Sequence, residues 1–575
     1  MTGPSAGPYE RANYTPERHP GRRPGAASGR DVEIRCHGCG RVICWRPVAA
    51  TCDIVTIGSG HNGLVAAAYL AAAGKNVVVL ERNPWCGGGV VTAELTGPGF
   101  LHDRFSTGHI FILGNPLIKS DELKLLSRYG LAYVRPEVPY ICVFEDGSTI
   151  GLYRDRNRTY QDIARFSAKD ADTFVSLADA AARYLPLIAA SLYSPPAPLG
   201  ATFAMLDQSP EGRELFALMH KSPFDIIVEA FEHEKVRMFL TRLISENLTG
   251  PEEKGTGIGL FVFLGFIEQY GIGVAVGGSG SLTAALIRCI EDHGGTVLTN
   301  ASVEAVVVRD GRAAGVRTAE GVEYHARDGV IGAIHPHLLA RMVPGLDPRV
   351  ARAAGRVELS ANSCFTVHAA LNEPLRFKAG PSVNEAYFTE LMPPSLDVLR
   401  QFFDALRYGR IPDSSLLGLV SPSAFDATRC PPGKATLHVW DYVPYAHPLG
   451  GPAFWDRAKD DFARTMLTRA QRFVENLTPQ NIIAYVADSP LDIERASASF
   501  QKGDLHGAAP YLYQSGTHRP TPDLGRNTVP GIDRLYLVGP FQPPGGGVFG
   551  SGRAAAMTAC EDLKIDFDAI GRPRP

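Results

Sequence analysis

Three glycines near the beginning of the chain have the spacing of a phosphate-binding turn. Gly58, Gly60 and Gly63 occur in "VTIGSGHNGLVAAAYL", after an apolar run and before an alanine-rich one. Gly58 permits a tight turn, Gly60 lets the backbone approach a pyrophosphate without a Cβ, and Gly63 allows a helix to pack closely on a sheet. Unpaired N–H groups at the start of that helix add a dipole that favours phosphate. The spacing therefore predicts a dinucleotide-binding loop.

The elements around these glycines supply the context that such a loop needs. "DIVTIG" predicts a strand, "HNGLVAAAYLAAAG" a helix, and "NVVVLE" a second strand that ends at Glu81. An acid at this place accepts hydrogen bonds from ribose hydroxyls. Because strand, glycines, helix, strand and acid occur together, they predict a βαβ nucleotide fold within about 30 residues. Glu81 also disfavours a 2′-phosphate here, although Arg82 follows it.

A second glycine cluster indicates which dinucleotide lies in the loop. Gly87, Gly88 and Gly89 follow the acid in "RNPWCGGGVVTAEL" and offer a second close approach of the backbone. Dehydrogenases that use NAD do not need this approach, whereas two-domain flavoproteins commonly have it because FAD extends further across the sheet. The predicted cofactor is FAD.

The remaining chain predicts an α/β protein with a Rossmann-like FAD-binding domain of the glutathione-reductase type and an interleaved α+β substrate domain. Residues 1–50 are rich in Pro, Gly and Arg, lack apolar periodicity and are predicted to be disordered. The FAD-binding domain is expected in three segments, 51–135, 266–345 and 501–575. The substrate domain is expected in two segments, 136–265 and 346–500.

A further glycine pattern near the end of the chain is expected to return to the same cofactor. Gly545, Gly547 and Gly550 follow the predicted strand "LYLVG" and precede a predicted helix. No second strand and terminal acid follow before Pro575, so a separate NAD fold is not expected. The pattern instead predicts another helix N-terminus near the FAD pyrophosphate or flavin ring.

Composition excludes several classes of protein. The 575 residues carry 57 basic and 60 acidic side chains and a net charge of −3, which does not indicate a nucleic-acid partner. The longest apolar run, residues 257–267, is shorter than the roughly 18 residues of a membrane-spanning helix. It is predicted to lie in the core or to line a substrate tunnel, with a membrane-dipping surface as the alternative.

The cysteines do not predict a disulfide framework or a metal site. Ten cysteines are scattered over a long chain, which is typical of a reducing compartment. Cys36, Cys39 and Cys44 form one local group, with His37 between the first two. A structural zinc site usually has four ligands in two pairs, and a second pair is missing, so a basic tail is favoured over a zinc knuckle.

With these motifs in hand, the chain resembles the phytoene desaturase-related FAD-dependent oxidoreductases, which include carotenoid desaturases and desaturase-like carotenoid ketolases. The resemblance covers about 51–565 and rests on "IGSGHNGLVAAAYLAAAGKNVVVLERNPWCGGGVVT", "GGSGSLTAALIRCIEDHGGTVLTNASVEAVVV" and "LYLVGPFQPPGGGVFGSGRAAA". It implies bound FAD and oxidation of a lipophilic, carotenoid- or polyene-like substrate by hydride transfer to flavin N5. Carried over by position, it places Gly58, Gly60, Gly63, Glu81, Arg82, Gly87 and Gly88 in contact with FAD, Val303 near the adenine, and Gly539, Gly546, Gly547 and Val548 near the flavin.

The resemblance also has departures near the expected flavin. Family members often carry Thr-His-Pro-Gly after the last strand, where this chain has Gln542, Pro543, Pro544 and Gly545. The usual small pair after the strand glycine is replaced by Pro540-Phe541. These differences leave the identity of the substrate open.

Flavin chemistry requires few catalytic side chains, because the cofactor accepts the hydride and the protein supplies position and electrostatics. His109 and His506 are the candidates to remove a proton, and structural hydrogen bonding is the alternative for each.

A flavin amine oxidase and a prenyl-group carrier without FAD remain alternative functions. Oxygen or a quinone is the expected electron acceptor. The expected location is cytoplasmic, with peripheral membrane association as a variant.

Overall fold

The computed structural model describes residues 33–35, 41–43, 50–547 and 550–571. Strands β1 (Glu33–Arg35) and β2 (Arg41–Ile43) pair antiparallel. Most of the predicted disordered segment 1–50, the three cysteines near residue 40 and Val548 lie outside the described residues. The division of the chain into domain segments stays a prediction.

The first half of the chain contains the nucleotide loop and a helical region. Its first elements are β3 (Ala50–Ile57), α1 (His61–Ala72), β4 (Val77–Leu80), β5 (Thr92–Ala93), β6 (His102–Asp103), α2 (Pro116–Lys119), β7 (Tyr133–Val134), β8 (Val138–Val143) and β9 (Thr149–Leu152). The helical region comprises α3 (Arg156–Ala164), α4 (Ala168–Leu192), α5 (Leu199–Leu206), α6 (Pro210–His220), α7 (Pro223–Ala230), α8 (Glu234–Ile244) and α9 (Ile258–Tyr270).

The second half alternates strands and helices. It continues with β10 (Val274–Ala275), α10 (Gly280–Asp292), β11 (Thr296–Leu298), β12 (Val303–Arg309), β13 (Arg312–Thr318), β14 (Glu323–Gly332), α11 (Pro336–Met342) and α12 (Pro348–Ala354). It ends with β15 (Ser363–Leu371), β16 (Ala386–Leu391), α13 (Leu396–Arg407), β17 (Gly418–Val420), β18 (Ala435–Val443), α14 (Trp455–Ala470), β19 (Ile482–Asp488), α15 (Pro490–Ala496), β20 (Thr528–Val529), β21 (Ile532–Leu537) and α16 (Ser551–Leu563).

Eight strands form a sheet that we call the parallel sheet, in the order β11-β4-β3-β14-β13-β21-β20 with β12 paired to β13. The pairings β11–β4, β4–β3, β3–β14, β14–β21 and β13–β21 are parallel. The pairings β12–β13, β13–β14 and β20–β21 are antiparallel. All four residues of β4 are buried, as expected for a strand covered on both faces. Helix α1 packs against α10 and α16, and its alanines permit these close approaches. Strand β3, helix α1 and strand β4 form the predicted βαβ unit.

Seven strands form a second sheet, the antiparallel sheet, in the order β19-β15-β18-β17-β16-β8-β9. All its pairings are antiparallel except that of β16 with β8. Side chains alternate between its faces. On β15 and β18, Val367 and Val439 lie in the core beneath α14, whereas Thr366, His438 and Trp440 face a cavity. The antiparallel sheet therefore supplies one wall of that cavity.

The apolar run 257–267 becomes most of helix α9, which is buried in the largest core cluster. A Cβ at Gly265 would lie 3.4 Å from the carbonyl oxygen of Ala181, so α9 packs closely on α4. None of its residues lines the cavity described below. Across the described ranges, no helix is both long enough and apolar enough to cross a bilayer.

Candidate functional site

The glycine loop has the geometry of a phosphate cradle. Gly58 has φ +84° and its N–H donates to the carbonyl of Leu80 at 2.8 Å, which fixes the turn at the end of β3. A Cβ at Gly63 would lie 2.5 Å from the carbonyl oxygen of Gly58, so only glycine permits this helix position. A Cβ at Gly60 would meet no atom within 4 Å. Open space therefore lies before Gly60 and the N-terminus of α1, where a pyrophosphate fits.

The carboxylate of Glu81 organises the other side of this loop. Its Oε2 accepts hydrogen bonds from the backbone N–H and the hydroxyl of Ser59, both at 2.8 Å. Its Oε1 accepts from the backbone N–H of Asn83 at 2.9 Å. The residue is only 6% exposed but lines the cavity. Glu81 thus fixes the loop and remains placed to accept from ribose hydroxyls.

We expect Glu81→Ala to weaken FAD binding by about 1–3 kcal/mol, because both the ribose and the buried N–H of Ser59 lose an acceptor. Titration of the apoprotein with FAD, followed by quenching of flavin fluorescence, measures the change. Glu304→Ala, at an exposed position on β12, is the matched control and should bind FAD like the wild type. Equal FAD affinity in all three proteins would contradict this role.

A single cavity extends from the glycine loop to the antiparallel sheet and contains about 2050 Å³ of atom-free space, part of it open to solvent. The predicted FAD-contacting residues that line it are Gly58, Gly60, Gly63, Glu81, Arg82, Gly88, Val303, Gly539 and Gly547. Gly87 and Gly546 do not line it. Gly87 lies behind the loop, where its N–H donates to Ser59, and Gly546 packs against His506.

The second glycine cluster packs directly on the first. A Cβ at Gly88, whose φ is +60°, would lie 2.9 Å from the Cα of Gly60. Arg82 lines the cavity, and its guanidinium donates to the carbonyl of Arg495 at 3.2 Å. The C-terminal pattern also returns to this place, because the N–H of Gly552 in α16 donates to the side chain of Asn62 in α1. The observed cradle, with its open space, thus fits an extended dinucleotide.

The two predicted catalytic histidines have different environments. His109 is buried, its Nδ1 lies 2.9 Å from the hydroxyl of Tyr133, and it does not line the cavity. Burial lowers the pKa of His109 to about 4, so its imidazole is neutral near pH 7. His506 lines the cavity, and its backbone N–H donates to Asp504 at 2.8 Å. A catalytic role for either histidine stays a prediction.

Several cavity residues were not found by sequence reasoning. His61 lines the cavity directly after Gly60, and burial lowers the pKa of this imidazole to about 4. His438 on β18 also lines it, and burial holds its pKa well below the ordinary value. Neither ring nitrogen of His438 has a hydrogen-bond partner within the described part of the chain. The sequence could have indicated that His61 faces the cavity, because it directly follows Gly60 in the glycine loop. The position of His438 could be found only from the pairing of β18 with its neighbouring strands.

The cavity wall beyond the glycine loop is mainly apolar and aromatic. Its large side chains come from five parts of the chain that lie far apart in sequence: Phe105, Leu248, Phe388, Trp440, Tyr442 and Phe500. One carboxylate, that of Glu246, interrupts this surface. Such a wall can hold a lipophilic molecule and exclude water beside a cofactor bound at the glycine loop.

Known proteins are similar to this chain over most of its length. The chain is 26% identical over 555 residues to one of the subunits of limonene dehydrogenase from Castellaniella defragrans, covering 90% of this chain and 96% of the relative. It is 27% identical over 532 residues to the lycopene-forming phytoene desaturase of Pseudescherichia vulneris, covering 89% and 99%. The solved structure of an oxidoreductase from Methanosarcina mazei has the same fold, with a TM-score of 0.58 and 17% identity over 88% of this chain and 100% of that one.

The family of flavin-containing amine oxidoreductases matches residues 63–456, which is more than half of the chain. The resemblance to phytoene desaturases, the α/β fold with a Rossmann-like FAD domain and the choice of FAD are thereby confirmed. The protein is an FAD-dependent oxidoreductase, so the alternative of a carrier without FAD is set aside. The chain belongs to the flavin-containing amine oxidoreductase family.

Proposed function

We propose that the protein dehydrogenates a lipophilic isoprenoid substrate, with FAD as the hydride acceptor. The observation that carries this proposal is the continuity of the cavity, which begins at the glycine loop and ends among the apolar and aromatic side chains of the antiparallel sheet. A lipophilic molecule in that wall would lie beside a cofactor held at the loop. The names of two relatives, which refer to limonene and to phytoene, support the same substrate class.

The side chains of the cavity orient the substrate, exclude water from it and accept a proton. Bound FAD supplies the two-electron acceptor. Phe388 and Trp440 contribute apolar surface that would exclude water from the substrate, and the main chain around Gly60 would hold the pyrophosphate of FAD. His438 and His506 both line the cavity, where the imidazole of either residue could accept the proton that the substrate loses together with the hydride.

The test is anaerobic flavin bleaching in the purified FAD-loaded protein. We expect phytoene or limonene, supplied in liposomes, to bleach the flavin within a turnover time, and oxygen or a quinone to restore its colour. NADPH and NADH should bleach it only slowly, because the predicted nucleotide fold accommodates one dinucleotide. Fast bleaching by primary amines but not by isoprenoids would replace the proposal with an amine oxidase. Fast, saturable bleaching by NADPH would instead indicate a reductase.

A further inference from the structure

A single carboxylate lies in the apolar part of the cavity. Glu246 occupies the turn that follows α8, and its side chain is 25% exposed toward the cavity beside Leu248, Cys364 and Tyr442. An ionised group in such a wall is costly unless it has partners. Its position, together with the partners that hold it, points to a function in the recognition of a polar group.

Glu246 is held by donors that all use the same oxygen. Its Oε1 accepts from the hydroxyl of Tyr442 at 3.0 Å, from the hydroxyl of Tyr140 at 3.2 Å, and from the guanidinium of Arg242. None of the hydrogen bonds among the described residues uses its Oε2. One oxygen is therefore fixed by the protein, and the other is available to a molecule in the cavity.

A second carboxylate balances the same guanidinium. Arg242 and Glu390 are fully buried and form an ion pair behind Glu246. Burial raises the pKa of Glu390, the nearby Glu246 acts in the same direction, and Arg242 opposes both. Arg242 therefore contacts both carboxylates and provides the counter-charge of Glu246.

This balance favours a neutral hydrogen-bond donor over a cation. Arg242 already pairs with the carboxylate of Glu246. An ammonium group that entered the cavity would therefore lose its hydration without gaining an unpaired anion as its partner. A hydroxyl group loses less on leaving water and can donate one hydrogen bond to Oε2. The apolar wall around Glu246 then contacts the hydrocarbon part of the same molecule.

We propose that Glu246 binds a hydroxyl group of the substrate, so that an isoprenoid alcohol is preferred over the corresponding hydrocarbon. The inference rests on the proposed function, because it requires that a lipophilic isoprenoid occupies this cavity. Arg242, Tyr140 and Tyr442 are positioning residues that hold the carboxylate with one oxygen toward the ligand.

The test compares three probes with the same ten-carbon skeleton, namely geraniol, geranylamine and 2,6-dimethylocta-2,6-diene. Their dissociation constants for the full-length, FAD-loaded protein are measured by calorimetry. We expect geraniol to bind roughly 10-fold or more tightly than either other probe, because it donates to a charged acceptor. In Glu246→Met that advantage should disappear, and in Glu246→Gln it should be reduced, while the affinity for the hydrocarbon stays within about 3-fold.

Glu252→Gln is the matched control, because Glu252 pairs with Arg400 on the surface. It should leave all three affinities unchanged. Flavin content and melting temperature identify any variant that fails to fold, and Glu246→Gln retains the size of the side chain. Equal binding of geraniol and the hydrocarbon would overturn only the role of Glu246, as would tighter binding of geranylamine. If none of the probes binds a protein with full flavin content, the proposed function fails, and this inference fails with it.

Discussion

Replacement of Arg242 by methionine should lower the free energy of unfolding by about 3–5 kcal/mol at pH 8, because it removes the buried guanidinium that pairs with both Glu246 and Glu390. Glu390 is fully buried, and Glu246 is largely enclosed in the cavity wall. Methionine fills much of the space of the arginine side chain, so the loss of charge rather than a cavity dominates the effect. Urea denaturation followed by tryptophan fluorescence measures the change.

The pH dependence of this variant has a definite sign. A carboxyl group whose folded-state pKa is raised stabilises the folded protein below its unfolded pKa, and this contribution is lost as pH rises through the folded pKa. Removal of Arg242 takes away the attraction that opposed the upward shift of Glu390. The variant should therefore become less stable between about pH 5 and pH 8. The double variant Arg242→Met/Glu390→Gln should recover part of the loss at pH 8.

Arg400→Met provides the comparison, because Arg400 pairs with Glu252 on the surface. Its effect should be below about 1 kcal/mol, since exposed ion pairs are screened by solvent. If Arg242→Met is no more destabilising than Arg400→Met at pH 8, the buried ion pair does not have the energetic role assigned to it.

Gly60→Ala should leave the apoprotein as stable as the wild type but weaken FAD binding by about 1–3 kcal/mol. The added Cβ meets no protein atom within 4 Å, and Gly60 has φ −60° and ψ 153°, a conformation open to alanine. It would instead project into the space that the pyrophosphate needs. The melting temperature of the apoprotein and its affinity for FAD, measured on the same preparation, separate the two effects.

Gly63→Ala should behave differently, because its Cβ would lie 2.5 Å from a backbone oxygen of Gly58. Both the melting temperature of the apoprotein and its FAD affinity should fall. Gly200→Ala in α5 is the control, since a Cβ there meets nothing within 4 Å. Unchanged FAD affinity in Gly60→Ala would show that the pyrophosphate does not lie against this glycine.

The glycine loop could be predicted from sequence because its determinants are local. The turn at Gly58, the helix that follows it and the acid Glu81 all lie within one βαβ unit. The backbone conformation and the close approaches at these positions allow only a few residue types, so the residue types reveal the geometry. The choice of FAD followed from the neighbouring cluster at Gly87, Gly88 and Gly89, which lies in the same short stretch.

The other end of the cavity depends on contacts between distant segments. Glu246 follows α8, Tyr442 lies on β18 and Tyr140 on β8, and nothing in the local sequence of any one of them indicates that they meet. His438 faces the cavity only because β18 pairs with β15 in one register. A shift of one residue would turn it to the opposite face.

The sequence by itself thus determined the cofactor, its cradle and the fold class, since each depends on residue types with fixed local spacing. Only the tertiary structure decided which side chains form the substrate wall, where His109 and His506 lie, and how Arg242 joins two carboxylates. Those features arise from strand register and from the packing of the helical region on the antiparallel sheet. Burial then sets the charge of each group, and burial is a property of the assembled fold rather than of any segment of the chain.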